Sequence, residues 1–153
     1  MKKMKLFCGI LISLVIFSSC SSDDDSNSNL NSIVGTWKGI KEVDVCSTGS
    51  EDIFDFDSCE QTGRLTFSKN GTLNFTRYEL INGNCELSVT NSGTWVIDNG
   101  NLIVGISGDT NEVTFFELSS NTLKLGRYSS DPNDPCDGGN LPSHNYTEFV
   151  RVE

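Results

Sequence analysis

The sequence predicts an all-β domain, closed into an eight-stranded antiparallel up-and-down barrel, with a β-sandwich as the alternative. Three observations carry that expectation. From Ile33 onward, short runs alternate apolar and polar residues, the period of a half-buried strand. Asn-Gly and other Gly/Asn/Asp/Ser turns separate them, and Asn-Gly between alternating runs is a strong hairpin signal. No run has a convincing 3.6-residue period, so no substantial helix is expected. Hairpins without crossovers make a meander, and closing the meander removes exposed strand edges.

Taken in order, Ile33 to Val45 is the first strand, bent at its glycines. An acidic loop from Ser47 to Glu60 follows, with Cys46 and Cys59 at its ends. Arg64–Ser68 and Thr72–Tyr78 alternate on either side of Lys69-Asn70-Gly71. Asn82-Gly83-Asn84 turns the chain beside Cys85. Gly93–Ile97 and Leu102–Ile106 flank Asp98-Asn99-Gly100-Asn101. Glu112–Leu118 and Thr122–Tyr128 pair across Ser119-Ser120-Asn121. A loop from Asp131 to His144 carries all three prolines and Cys136, and Tyr146–Val152 is the last strand.

The first 32 residues have a different character. Lys2, Lys3 and Lys5 precede an apolar run from Leu6 to Phe17, which leads through small residues to Cys20. A basic head, a short apolar segment and a small-residue exit form a secretory signal, here residues 1–19. The run is too short to span a bilayer, which needs about 20 residues. Phe17-Ser18-Ser19-Cys20 resembles the lipobox of bacterial lipoproteins, with Phe17 where leucine is usual. That resemblance implies acyl chains such as palmitate on Cys20, holding the protein to a membrane. Residues 20–32, beginning Cys20-Ser21-Ser22-Asp23-Asp24-Asp25, have no apolar periodicity and read as a flexible acidic tether. The tether resembles those of Bacteroidetes lipoproteins, which implies the outer membrane and display at the cell surface. The domain then occupies residues 33–153.

Loss of Lys2, Lys3 and Lys5 with the signal would leave 8 Lys+Arg against 21 Asp+Glu, a net charge of −13. That surface lacks the basic footprint of a nucleic-acid binder and is repelled by anionic headgroups, so the acyl chains must do the anchoring. A solvated monomer is expected. With Cys8 in the signal and Cys20 as lipid site, Cys46, Cys59, Cys85 and Cys136 remain. In an exported protein this even set favours disulfides, in any of three connectivities. No Cys-x-x-Cys spacing occurs and His144 is the one histidine, so neither zinc nor any cofactor is expected.

Gly35-Thr36-Trp37 is similar to the Gly-x-Trp signature of lipocalins. With Leu65-Thr66-Phe67, Asn70-Gly71-Thr72, Ser92-Gly93-Thr94-Trp95, Leu102 and Asn121-Thr122-Leu123, the pattern from Ile33 to Val152 resembles the lipocalin-like lipoproteins of Bacteroidetes. Lys38-Gly39 departs from the usual Lys-Leu, and Cys46 and Cys136 look like additions. The resemblance implies a Cys59–Cys85 bridge, which leaves Cys46 for Cys136, each contributing about 2–4 kcal/mol.

Catalysis has little to stand on. His144 sits beside Ser143 in a loop, and adjacency does not make a triad. Asp52, Asp55, Asp57 and Glu60 read as a hydrated acidic loop rather than an acid–base pair. Asp131-x-Asn133-Asp134 with Asp137-Gly138-Gly139 lacks EF-hand spacing, so calcium is not expected. Alternation offers Leu65, Phe67, Leu73, Phe75, Val113, Phe115, Leu123 and Leu125 as the core, with Trp37 and Trp95 bracing the base. Arg77, Tyr78, Arg127, Tyr128 and Arg151 lie late in their strands. If they line the mouth they orient a ligand, with Arg77, Tyr78, Arg127 and Tyr128 the candidate binding residues; if they face outward they are surface. The expected function is a non-catalytic binder of a small, largely apolar ligand. The alternative is an envelope or cell-surface interaction module with a packed core.

Overall fold

The computed structural model describes residues 33–106, 109–129 and 138–152. The expected signal (1–19), Cys20 with its tether (20–32), Cys136 and residues 131–137 of the candidate calcium loop lie outside them. The strands are β1 (Gly35–Val45), β2 (Glu51–Asp55), β3 (Arg64–Phe67), β4 (Thr72–Ile81), β5 (Asn84–Asp98), β6 (Asn101–Ile106), β7 (Asp109–Val113), β8 (Phe115–Leu118), β9 (Thr122–Tyr128) and β10 (His144–Val152). A single 3-10 turn, Glu60–Thr62, precedes β3.

Every ladder is antiparallel, and the sheet runs β7-β6-β5-β4-β3-β1-β10-β9-β8, with β2 added to β1. The two ends of that path, β7 and β8, are halves of one strand bent at Thr114. The sheet therefore returns on itself as a nearly closed, eight-stranded up-and-down barrel. At the bend the Tyr128 N–H donates to Thr114 Oγ1 at 2.9 Å, pairing a backbone group where the ladder is interrupted. Three hairpin turns are built as their Asn/Gly residues require. Gly71 has φ +81°, while Asn82-Gly83 and Asn99-Gly100 place both residues at positive φ.

Three expectations need correction. The loop from Ser47 to Glu60 contains β2, because β1 pairs with β3 only through Gly35–Trp37 and would otherwise present a bare edge at Lys41–Val45. The run Glu112–Leu118 is two strands, and the bend at Thr114 shifts the side-chain alternation by one. Phe116 and Leu118 consequently pack against the core, whereas Phe115 packs with Val43 and Tyr146 in a separate cluster. Finally, β5 is much longer than Gly93–Ile97. Arg77–Ile81 of β4 pair with β5 alone, so the two strands extend past β3 as a two-stranded arm.

Around the barrel, β1, β4, β6 and β9 run away from the end where Gly35 lies, and the other wall strands run back towards it. That end is packed shut. Ile33, Trp37, Phe67, Leu102 and Leu123 are fully buried there, with Leu65, Leu73, Trp95 and Phe149 around them. Trp37 Nε1 donates to Ile33 O at 2.9 Å, and Trp95 Nε1 to Ser68 O at 3.0 Å, so both indoles bury their rings without losing a hydrogen bond. Phe67 meets Trp95 edge to face at 5.4 Å.

Arg151 seals this base. Its guanidinium lies 4.1 Å above the Trp37 ring and donates to Val34 O and Ser120 O, both at 2.9 Å. A Cβ on Gly35 would collide with that guanidinium, and Gly35 has φ +145°. The glycine before Trp37 is thus the space in which the arginine lies.

Candidate ligand-binding site

The opposite end is open. A cavity of about 300 Å³ lies above the packed base, lined by Gly39, Glu42, Phe56, Glu60, Gly63, Arg64, Phe75, Thr76, Arg77, Thr147 and Phe149. Phe75 and Phe149 reach it because they share the inward face with Leu65, Leu73 and Leu123, their partners in the ladders or neighbours at two-residue spacing. A register shift between Gly39 and Lys41 then changes which residues of β1 face inward, bringing Glu42 opposite Thr147.

Phe56 arrives from outside the wall. It follows β2, and its N–H donates to Ile40 O at 2.9 Å while Gln61 Nε2 donates to its carbonyl at 2.8 Å. A Cβ on Gly39 would stand 2.9 Å from the Phe56 ring and 3.6 Å from that of Phe149. Gly39, the residue that departs from the usual leucine, therefore admits the Phe56 ring. The turn behind Phe56 is self-capped. Asp57 Oδ1 accepts from the Cys59 and Glu60 N–H groups at 2.8 and 2.9 Å, and Glu60 Oε2 accepts from the Asp57 N–H at 2.9 Å. Of the acidic residues considered for acid–base chemistry, Asp57 and Glu60 thus cap this turn, and Asp52 and Asp55 are exposed on β2.

The Cys59–Cys85 disulfide, with Cα atoms 5.4 Å apart, ties this turn to the base of the arm's outer turn. It bridges the place where β3 has ended and neither β2 nor the upper part of β4 has a ladder partner on its facing edge. Cys46 is also disulfide-bonded.

The four candidate binding residues fall in different places. Arg77 lines the cavity, and its Nη2 pairs with Glu79 Oε1 at 2.8 Å. Arg127 shares the face of Leu123 and Leu125 but is exposed beyond the cavity lining. Tyr78 follows a register shift at Arg77 and does not line the cavity. Tyr128 is on the other face, edge-on to Phe115 at 5.8 Å and to His144 at 5.4 Å. Arg151 belongs to the base, as described. His144 opens β10 and stacks on Phe115 at 4.4 Å, so it is a wall residue rather than a solvated loop residue. Gly39, Glu42, Phe56, Gly63, Thr147 and Phe149 were not legible as a site. The only trace was the Lys38-Gly39 departure, which marks where a side chain is missing from the wall.

Among the described residues no three acidic, histidine or cysteine side chains converge as a metal site requires. An antiparallel meander closed round a packed base, with a cavity towards its other end, defines the class of small barrels that can hold one small ligand. The chain belongs to the lipocalin-like domain family, which matches it over residues 33–125. No curated protein matches it.

Proposed function

We propose that the protein is a lipid-anchored lipoprotein of the Bacteroidetes outer membrane that binds a small, largely apolar ligand and carries out no chemistry on it. The carrying observation is the cavity above the packed base, lined by Phe56, Phe75 and Phe149 together with four charged side chains and two threonines. Its volume is at the lower end of the roughly 300–1,000 Å³ of small-molecule sites, which favours a compact ligand. Acyl chains on Cys20 would supply the anchor, and the acidic tether would let the barrel stand in solvent.

The test is binding of a neutral naphthylamine dye to the protein and to Thr147→Trp, which fills the cavity from β10. Micromolar binding that the substitution removes, with the fold retained by circular dichroism, is the expected result. Equal binding by both proteins would locate the dye elsewhere and sink the cavity reading.

A second reading has its own observation. Ile53 and Phe54 on β2 and Leu80, Ile81 and Leu87 on the arm are exposed. Apolar side chains gathered at one end of a barrel suit contact with another envelope component.

A further inference from the structure

We infer that the cavity selects ligands bearing a protonated amine, an inference that rests on the binding reading above and names its ligand class. The argument is a balance of the charged groups around the cavity. Its lining holds two guanidiniums and two carboxylates. Arg64 Nη1 is committed to the carbonyl oxygens of Gln61 and Gly63 at 2.8 and 2.6 Å. Arg77 is paired with Glu79, a carboxylate outside the lining. Glu60 accepts from the Asp57 N–H and caps its turn.

Glu42 differs from these three. It is exposed at the edge of the cavity opposite Thr147, and among the described residues its carboxylate has neither an ion pair nor a hydrogen bond, so it is free to meet a cation. Bonds to neutral carbonyls leave the Arg64 charge in place, so with Glu79 counted three carboxylates (Glu42, Glu60 and Glu79) stand against two guanidiniums (Arg64 and Arg77), a balance of −1 at the cavity. The rest of the lining is three phenylalanines, two glycines and two threonines. The face of an aromatic ring attracts an ammonium group and repels a carboxylate, and Phe56, Phe75 and Phe149 all border the cavity. The chain's formal net charge of −10 adds a field that draws cations and turns anions away. An apolar body for the three phenylalanines and a protonated amine for Glu42 is the ligand these features match together.

The test uses three probes with one skeleton and different heads: phenylbutylamine, phenylbutanol and phenylbutyrate. Each is titrated calorimetrically into the full-length protein. The amine is expected to bind about fivefold more tightly than the alcohol, with the acid weakest. Glu42→Gln should bring the amine to within about twofold of the alcohol while leaving the alcohol unchanged. Glu86→Gln, on the exposed arm, should leave the order intact. Raising the salt concentration should narrow the preference.

An alcohol or acid that binds as tightly as the amine overturns the inference while leaving the cavity reading standing. So does an amine preference that survives Glu42→Gln. If none of the three binds, the cavity reading fails and the amine inference falls with it.

Discussion

The two ends of this barrel are built on opposite plans. At the base, each polar group of a large side chain is satisfied by backbone while its apolar body is buried: Trp37 on Ile33 O, Trp95 on Ser68 O, and Arg151 over Trp37. At the mouth, the wall is discontinuous. β3 has ended, β2 has come in from the side, and the β4–β5 arm stands exposed beyond both. The Cys59–Cys85 disulfide and the capped turn behind Phe56 tie these parts together. A closed hydrogen-bonded wall needs no cross-link, whereas a wall with a gap does. The base therefore carries folding stability, and the mouth carries a shaped opening whose parts can differ without unfolding the rest.

The sharpest way to break that division is Trp37→Ala. Removing a fully buried indole should cost about 3–5 kcal/mol, read as a lowered denaturant midpoint at unchanged slope. Ligand affinity per folded molecule should be unchanged. If the folded fraction of this variant loses binding, base and mouth are one unit and the comparison fails.

The paired substitution of Cys59 and Cys85 by alanine should cost less, about 2–4 kcal/mol, since the bridge closes a loop of modest length. Here the expected signature is reversed. Hydrogen exchange should rise in residues 56–62 and 77–87 well before it rises in β9 or β10, and ligand dissociation should quicken. Uniform loss of protection over the whole barrel would show the disulfide to be a global staple instead of a clasp at the mouth.

This division also explains what the sequence could say. The base was legible because its strands alternate cleanly: Leu65, Phe67, Leu73 and Leu123 all lie in the core their spacing assigned. The Asn-Gly hairpins were legible because positive φ selects those residues. The mouth was not, for identifiable reasons. β2 has five exposed residues and no burial pattern; it is a strand because β1 offers an edge, a tertiary cause that its own residues do not encode. Phe56 sits in an acidic run with no period, and its place depends on Gly39 seventeen positions earlier in the chain. Phe115 was turned outward by a single bend. Grouping Arg151 with Arg77 and Arg127 overlooked strand direction: β4 and β9 run towards the mouth, but β10 runs to the base. Residues late in adjacent strands of a meander lie at opposite ends.

The smallest expected effect concerns the wall between the two ends. Lys124 lies 3.1 Å from Glu117 Oε2 and 4.9 Å from the centre of the Tyr146 ring. Partial burial works against its charged form, but the hydrogen bond to Glu117 and the fields of Tyr146, Glu117 and Glu148 outweigh that, so its pKa is raised above the ordinary value. A lysine whose folded pKa exceeds its unfolded one adds stability that is whole below the ordinary lysine pKa of 10.5 and is lost as pH climbs through the folded value. The side chains are partly solvated, so the contribution is below about 1 kcal/mol. Lys124→Met should therefore unfold at a slightly lower temperature than the parent at neutral pH. The two melting curves should converge in strongly alkaline buffer as the parent loses the charge. Curves that stay parallel across that range would mean that Lys124 acts through packing of its stem on Tyr146 and that its charge adds nothing to the wall.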